Sequence, residues 1–224
     1  MMKFNKVWCL YEQSGTFKNV FKNMGYESYD VDILNDFNET DLTIDIFNEI
    51  NLAYEGKKSF LDSISADDLI FSFFPCTRFE SHAPLNSRGE HKSMKTWDDI
   101  RKLKYSINLN NEINYFYTTL CKLFIICYKR NLRMILENPY TQPHYLTSFF
   151  PIKPSFIDYD RTQNGDNYKK PIQFWFVNCE PEQNILFEPL NYVEYKRISK
   201  EGNRVTRSLI NSQYVERFIK QFVI

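Results

Sequence analysis

The stretch Asp68-Leu69-Ile70-Phe71-Ser72-Phe73-Phe74-Pro75-Cys76 decides the predicted fold. Its apolar run has no polar face and ends at a proline, which is typical of a strand buried on both sides. A second short run, Leu132 to Leu136, ends in the same way at Glu137-Asn138-Pro139. Between them, Ile107 to Arg130 has apolar residues at helical spacing. Strand, helix and strand in this order predict an α/β sheet with helices on its faces.

The rest of the chain continues this alternation of short apolar runs and amphipathic stretches. We predict one domain over residues 1–224, with a doubly wound, mostly parallel sheet and helices on both faces. Residues 77–100 are polar and are predicted to form a mobile loop, and prolines punctuate a loop-rich segment after Pro139. The other predicted strands are Val7–Tyr11, Glu27–Ile33, Leu42–Phe47 and Ile172–Asn178, and the other predicted helices are Phe17–Met24 and Ser212–Phe222.

Charge is balanced over the whole chain and uneven along it. The 28 basic and 28 acidic side chains give a net charge of zero, which argues against a protein that coats nucleic acid by bulk charge. Residues 1–75 carry 6 basic and 13 acidic side chains, and residues 129–224 carry 14 and 10. This split fits an acidic half that binds a cofactor and a second half that meets an anionic partner. Chance is the alternative explanation.

Cysteine spacing and hydropathy indicate the cellular compartment in which the protein is expected. The five cysteines are widely spaced without a CxxC pair, so neither a zinc site nor a disulfide framework is predicted. The first residues lack the apolar run of a signal peptide. The longest apolar stretch, Leu120 to Tyr128, is far shorter than the roughly 20 residues of a membrane span. We therefore expect a cytoplasmic protein with no membrane partner and no metal.

The ends of the first three predicted strands carry residues that suit a nucleoside cofactor. Ligands of open α/β sheets bind at the carboxyl ends of the strands. A turn of small residues lets backbone approach such a cofactor, and carboxylates accept hydrogen bonds from ribose hydroxyls and an adenine amino group. For Gly15 the alternative is a tight turn that uses glycine for steric reasons alone. The candidate residues are Glu12, Ser14, Gly15, Thr16, Asp30, Asp32 and Asp45.

The ends of the two central strands carry a candidate nucleophile and a candidate acid. Cys76 follows a buried strand, where a nearby cation such as Arg78 would favour its thiolate. Glu137 holds an equivalent position, where partial burial would raise its pKa and let it donate a proton near neutrality. The alternatives are a cysteine that acts as a small apolar residue and a carboxylate that caps a neighbouring amide.

These motifs, in their order along the chain, resemble those of the DNA cytosine-5 methyltransferases, especially the compact phage-type members. Asp68 to Phe79 resembles their Pro-Cys motif, and Leu136-Glu137-Asn138-Pro139 resembles their Glu-Asn motif. The further matching segments are Leu10 to Phe17 with Gly25-Tyr26, which resembles the first cofactor motif, Tyr168 to Phe176, and the arginine-led Arg207-Ser208-Leu209-Ile210.

The resemblance implies a Rossmann-like class I fold and methyl transfer from S-adenosylmethionine to C5 of a cytosine in DNA. The cytosine would leave the duplex or lie in a single strand. Cys76 would add to C6 and Glu137 would bind N3, with Pro75 and Asn138 shaping the strand ends and Arg161 contacting the base or Cys76. Residues 1–75 would form the cofactor half, 76–137 the catalytic loop, long helix and strand, 138–203 a reduced recognition region, and 204–224 the closing helix.

The segment available for target recognition, between Asn138 and Asn203, is short. The resemblance therefore implies little or no separate target-recognition domain and leaves room for a partner protein that selects the target. Two other functions stay open. One is a methyltransferase-like accessory protein that binds cofactor or nucleic acid with little or no turnover. The other is a cysteine-dependent enzyme that acts on a nucleotide or an RNA base.

Overall fold

A seven-stranded mixed sheet forms the centre of the protein. The computed structural model describes residues 3–80, 83–196 and 208–224. In these ranges the strand order is β3-β2-β1-β4-β5-β7-β6, and β7 alone runs antiparallel to the other strands. The strands are β1 Lys6–Leu10, β2 Glu27–Asp32, β3 Leu42–Thr43, β4 Leu69–Ser72, β5 Arg133–Pro139, β6 Phe156–Asp158 and β7 Ile172–Val177.

Helices cover both faces of this sheet, as the alternation of patterns predicted. Helices α1 (Thr16–Asn23) and α6 (Ser212–Phe222) pack on the face that presents Phe71 and Phe174. Helices α2 (Ile46–Tyr54) and α4 (Asp99–Arg130) cover the opposite face. The described residues also include two short helices, α3 Ala83–Ser87 and α5 Tyr145–Phe149, and 3-10 turns at Phe60–Ser63, Lys92–Met94 and Arg161–Asn164.

The predicted third strand, Leu42–Phe47, is wrong in its second half. Strand β3 ends at Thr43, and α2 begins at Ile46. Alternating apolar residues over 42–46 suggested a strand. However, Asp45 accepts a hydrogen bond from the backbone N–H of Asn48 and caps the helix, whose buried residues then follow helical spacing.

Two further predicted boundaries are corrected. Helix α4 begins at Asp99, eight residues before Ile107, and Asp98 caps it by accepting from the Arg101 N–H. Its first turns expose their apolar side chains, so the pattern there lacks a buried stripe. Residues 83–100, predicted to be a loop, therefore contain α3, a 3-10 turn and the start of α4.

Strand β5 includes Glu137, Asn138 and Pro139, which were expected to follow it. Pairing with β7 extends it, because Pro139 lies opposite Ile172 at the last position of the ladder. Strand β6, only three residues long, was not predicted. His82 and Arg207 lie outside the described residues. No helix in the described ranges is both long enough and apolar enough to cross a membrane.

Candidate active site at the strand ends

The ends of β4 and β5 lie side by side and bring four of the predicted catalytic residues together. The two strands are parallel neighbours with Ser72 opposite Leu136. Just beyond this pair, the buried Asn138 donates from Nδ2 to the carbonyl oxygen of Phe74 at 2.7 Å. This bond holds Pro75 and Cys76 next to Glu137 and Asn138. Asn138 therefore shapes the strand ends by a direct contact.

The Cys76 side chain is a partly buried thiol. Its Sγ donates to Oε1 of Glu80 at 3.5 Å, within the turn that follows β4. Burial raises the pKa of Cys76 to about 12; Lys170 opposes this shift, while Glu80 and Glu137 add to it. The predicted cation Arg78 forms an ion pair with Glu112 instead. Lys170 is thus the cation that acts on Cys76 in place of Arg78.

The Glu137 carboxyl is suited to hold a proton. Burial raises its pKa, and the charges of Lys170 and Arg161 act against that rise. Within the described residues, no hydrogen bond or ion pair joins its carboxyl group to another side chain or to backbone. Lys170 lies near it because the backbone N–H of Tyr140, just after β5, donates to the carbonyl of Pro171.

Arg161 lies in the protein interior, and its charge acts on Glu137. Its side chain is 1% exposed, and its Nε lies 3.0 Å from Oδ2 of Asp166. The guanidinium carbon lies 5.8 Å from the ring centroid of Tyr214, whose hydroxyl donates to Asp158 at 3.0 Å. The Arg161 Nη2 atom is buried without a hydrogen-bond partner. Arg161 therefore acts electrostatically on Glu137, and its predicted contact with a base or with Cys76 stays a prediction.

The predicted cofactor residues after β1 form one hydrogen-bonded turn. Oε1 of Glu12 accepts from the Ser14 hydroxyl at 3.0 Å and from the Phe17 N–H at 2.9 Å. The Ser14 and Thr16 hydroxyls lie 3.0 Å apart. Gly15 has φ +71, and a Cβ there would lie 2.6 Å from a Glu39 carboxylate oxygen. The turn thus favours a glycine for its backbone conformation.

Asp30 lies under this turn, inside the protein. It pairs with Cys9 in the middle of the β1–β2 ladder and is fully buried. Lys18, 3% exposed on α1, lies 3.5 Å from Asp30 and 3.3 Å from Asp41. Burial raises the pKa of Asp30 to about 9; the Glu12 charge adds to this rise, and Lys18 opposes it. Asp30 is therefore placed to support the turn from below.

Asp32 ends β2 and Asp45 precedes α2, and the charges of both act on Tyr11. Asp32 is the last residue of β2 and accepts from the Leu34 N–H at 2.8 Å, and burial raises its pKa. Asp45 is exposed and caps α2. The Tyr11 hydroxyl is buried without a hydrogen-bond partner, and after burial the charges of Asp45 and Asp32 raise its pKa most. The structure thus brings both acids close to one unsatisfied hydroxyl.

Sequence reasoning missed several residues of these two groups. Lys18 adjoins the apolar side of α1, where a lysine beside Phe17 and Phe21 is a signal of a buried partner. Lys170 belongs to a segment that the resemblance included, but its position depends on the pairing of β5 with β7. The other missed residues are Tyr11, Glu80, Asp158, Asp166 and Tyr214, for which no local pattern stands out.

Comparisons with known proteins leave the site to be interpreted from its own chemistry. No protein-family model matches the chain, and no curated protein matches it. The site places a thiol and a carboxyl group on adjacent strand ends, with a lysine whose charge acts on both.

Proposed function

We propose that this protein is an S-adenosylmethionine-dependent DNA cytosine-5 methyltransferase. The observation that carries the proposal is the placement of Cys76 and Glu137 at the ends of neighbouring strands, with Lys170 acting on both groups. A thiol and a carboxyl group in this arrangement match what addition to a cytosine ring needs: a nucleophile for C6 and a proton donor for N3.

The sheet supports the proposal at the level of the fold. A mostly parallel sheet with helices on both faces, in which β7 alone of the described strands is antiparallel, is compatible with the Rossmann-like class I fold of the proposal. In such a sheet the cofactor lies at the carboxyl ends of β1 and β2, and the reacting base lies beyond β4 and β5. Both groups of candidate residues occupy those positions.

The residues after β1 and β2 fit S-adenosylmethionine. The cofactor carries positive charge and ribose hydroxyls, and the site offers acidic side chains with two buried atoms that lack partners, Tyr11 Oη and Glu12 Oε2. Asp32 and Asp45 would accept from hydroxyl or amino groups. Glu12, Ser14, Gly15 and Thr16 would form the wall of the site, and Asp30 would support it through Lys18. When bound, the cofactor supplies an electrophilic methyl group.

Cys76 begins the reaction on the base. Its thiol gives up a proton to solvent, and the thiolate forms a bond from Sγ to C6 of the cytosine. The Lys170 charge favours the thiolate, whereas the hydrogen bond to Glu80 favours the thiol. We therefore expect the Glu80 contact to break when the base enters.

Glu137 controls charge on the ring. Its proton passes to N3 or is shared with it, so that electron density moves to C5, which becomes nucleophilic. C5 would then take the methyl group as its bond to the cofactor sulfur breaks, with S-adenosylhomocysteine as the leaving group. C5 then loses its proton to water, the Sγ–C6 bond breaks with its electrons returning to Cys76, and N3 returns its proton to Glu137. Burial raises the pKa of Glu137, which keeps a proton available for this step.

Trapping with 5-fluorocytosine tests the proposal. A fluorine at C5 blocks the last step, so an oligonucleotide that contains it should form a stable adduct on Cys76 in the presence of S-adenosylmethionine. Single-stranded, duplex and RNA versions identify the substrate. We expect no adduct with Cys76→Ser and a normal yield with Cys121→Ser, a matched change of another partly buried thiol. Absence of adduct with every substrate would overturn the proposal.

One observation favours a second function. Cys76 is a thiol held by Glu80, with a pKa of about 12 in the free protein. This state suits a protein that binds cofactor and nucleic acid without turnover. Calorimetry that shows S-adenosylmethionine binding, together with failure of trapping, would favour this accessory role. Failure of both would exclude the cofactor residues as well.

A further inference from the structure

A cavity of about 550 Å³ lies next to the turn that follows Cys76, and Phe79 and Glu80 of that turn line it. Helix α4 forms one wall of it, and the segment around α5 forms the other. Glu80 lines the cavity and also accepts the hydrogen bond from the Cys76 thiol. The cavity is therefore a neighbour of the proposed active site, separated from it by one carboxylate. Its volume lies within the range of small-molecule sites.

Amide side chains line the α4 wall. Asn110, Asn111 and Asn114 lie within about one turn of that helix. Nδ2 of Asn110 donates to the carbonyl of Ser106 at 2.8 Å, which leaves its side-chain oxygen for another partner. Asn111 and Asn114 are exposed at the cavity. Such amides can both donate and accept, as the edges of nucleobases require.

Aromatic rings line the α5 wall. Tyr145 and Phe149 form a ring pair with centroids 4.8 Å apart, and Phe149 is 65% exposed. An exposed ring next to an open cavity offers a flat surface on which another ring can stack.

The charge of the wall excludes one class of ligand. Among the described residues that line the cavity, none is a lysine or an arginine, and Glu80 carries the wall's charge. A phosphate would meet no cation here. A neutral, planar ligand with hydrogen-bond donors would meet an aromatic ring, several amides and one acceptor carboxylate.

We propose that this cavity binds a nucleobase adjacent to the base that reacts with Cys76. The identity of that reacting base rests on the proposed function. The occupant is a base with an amino or imino donor, which Glu80 can accept, and it stacks on Phe149. Discrimination among bases comes from the α4 amides, which gives a chain with a short recognition segment a means to select its target.

Photochemical cross-linking tests this placement. The probe is a 12-nucleotide single-stranded DNA with one 5-fluorocytosine and one 5-iodouracil beside it, on either the 5′ or the 3′ side. With S-adenosylmethionine present, irradiation should link the iodinated base to the peptide that contains Tyr145 and Phe149. A link that maps outside the cavity would overturn the inference.

Two variants and one control sharpen the test. Phe149→Ala should lower the cross-linking yield about tenfold, since stacking contributes strongly to single-strand binding. Phe187→Ala removes another exposed ring, 90% exposed and outside the cavity, and should leave the yield unchanged.

Asn114→Ala should reduce the difference in affinity among strands with A, C, G or T at the neighbouring position. Equal effects of the two phenylalanine variants, or no change in base preference, would contradict the proposal.

The outcomes separate this inference from the proposed function. A Cys76 adduct with a cross-link elsewhere overturns the cavity assignment alone. A cross-link in the cavity with no adduct at Cys76 supports base binding there and overturns the proposed chemistry. Thermal unfolding of Phe149→Ala checks that loss of cross-linking reflects the site, because this exposed ring contributes little to the core.

Discussion

At the ends of β1 and β2, the carboxyl groups around the Gly15 turn have partners within the chain, whereas at the ends of β4 and β5 the Glu137 carboxyl has none among the described residues. The first group uses its charges to hold a backbone shape. The second group holds a half-buried carboxyl whose oxygens have no described partner. Stability should therefore depend on the first group and turnover on the second.

Glu137→Gln should give the largest effect and should act on catalysis. Loss of the proton donor should slow methyl transfer by about 10²- to 10⁴-fold. The free energy of unfolding should change by less than about 1 kcal/mol, because no described partner loses a bond. Single-turnover transfer of a radiolabelled methyl group and urea unfolding measure the two effects. Glu188→Gln, an exposed change outside the site, is the control; a large loss of stability with normal transfer would break the comparison.

Lys18→Met should act on stability. It removes the buried ammonium group that lies 3.5 Å from Asp30 and 3.3 Å from Asp41, and it should lower the free energy of unfolding by about 2 kcal/mol, as loss of a hydrogen-bonded charged group does. Lys22→Met changes an exposed lysine on the same helix and should cost under about 0.5 kcal/mol. Urea unfolding at pH 7 measures both. Equal values for the two variants would show that Lys18 has no special role.

Asp30→Asn should change how stability depends on pH. The folded pKa of Asp30, about 9, lies above its ordinary value of 3.8, so the folded protein binds the extra proton between these limits. That contribution to stability is complete below pH 3.8 and is lost as pH rises towards 9, with a slope of up to about 1.4 kcal/mol per pH unit. Asparagine removes the titration. The variant should therefore lose less stability than the wild type between pH 6 and 9; parallel curves would contradict this.

Glu80→Gln should give the smallest effect and should make Cys76 more reactive. Because the Glu80 charge adds to the rise in the pKa of Cys76, its removal should lower that pKa and make alkylation by iodoacetamide at pH 8.5 several-fold faster. The assay needs neither DNA nor cofactor. Glu90→Gln, a change of an exposed glutamate that pairs with Arg88, is the control. An unchanged rate would show that Glu80 does not hold the thiol.

Much of the fold was predictable because its strands have strong local patterns. The continuous apolar runs of β4 and β5 and the amphipathic α6 need no information from elsewhere in the chain. The predictions were wrong where strand and helix periodicity both fit the sequence, as at Ile46, or where an element is stabilised only by pairing with a neighbouring strand. β6 has three residues and exists through its ladder with β7.

The positions of Cys76 and Glu137 at neighbouring strand ends were predictable from the sequence, whereas the cation that acts on Cys76 was not. Cys76 and Glu137 follow apolar runs, so their position at the sheet edge was expected. Arg78 is closer to Cys76 in sequence, but it pairs with Glu112, and Lys170 acts instead because β7 inserts antiparallel beside β5. Which cation acts on Cys76 depends on strand register, and the spacing of charged residues along the sequence does not reveal that register.

Because α6 follows the other elements of the site in the sequence, the site is completed only after α6 has been synthesised. Tyr214 contacts Asp158 beside the buried Arg161, and Phe218 stacks on Phe174, the strand partner of Glu137. The environment of Glu137 is therefore incomplete until the ribosome has released residues up to Phe222. A nascent chain that already contains Cys76 and Glu137 would lack the helix that completes the surroundings of Glu137, so under the proposed function we expect no methyl transfer before synthesis passes this helix.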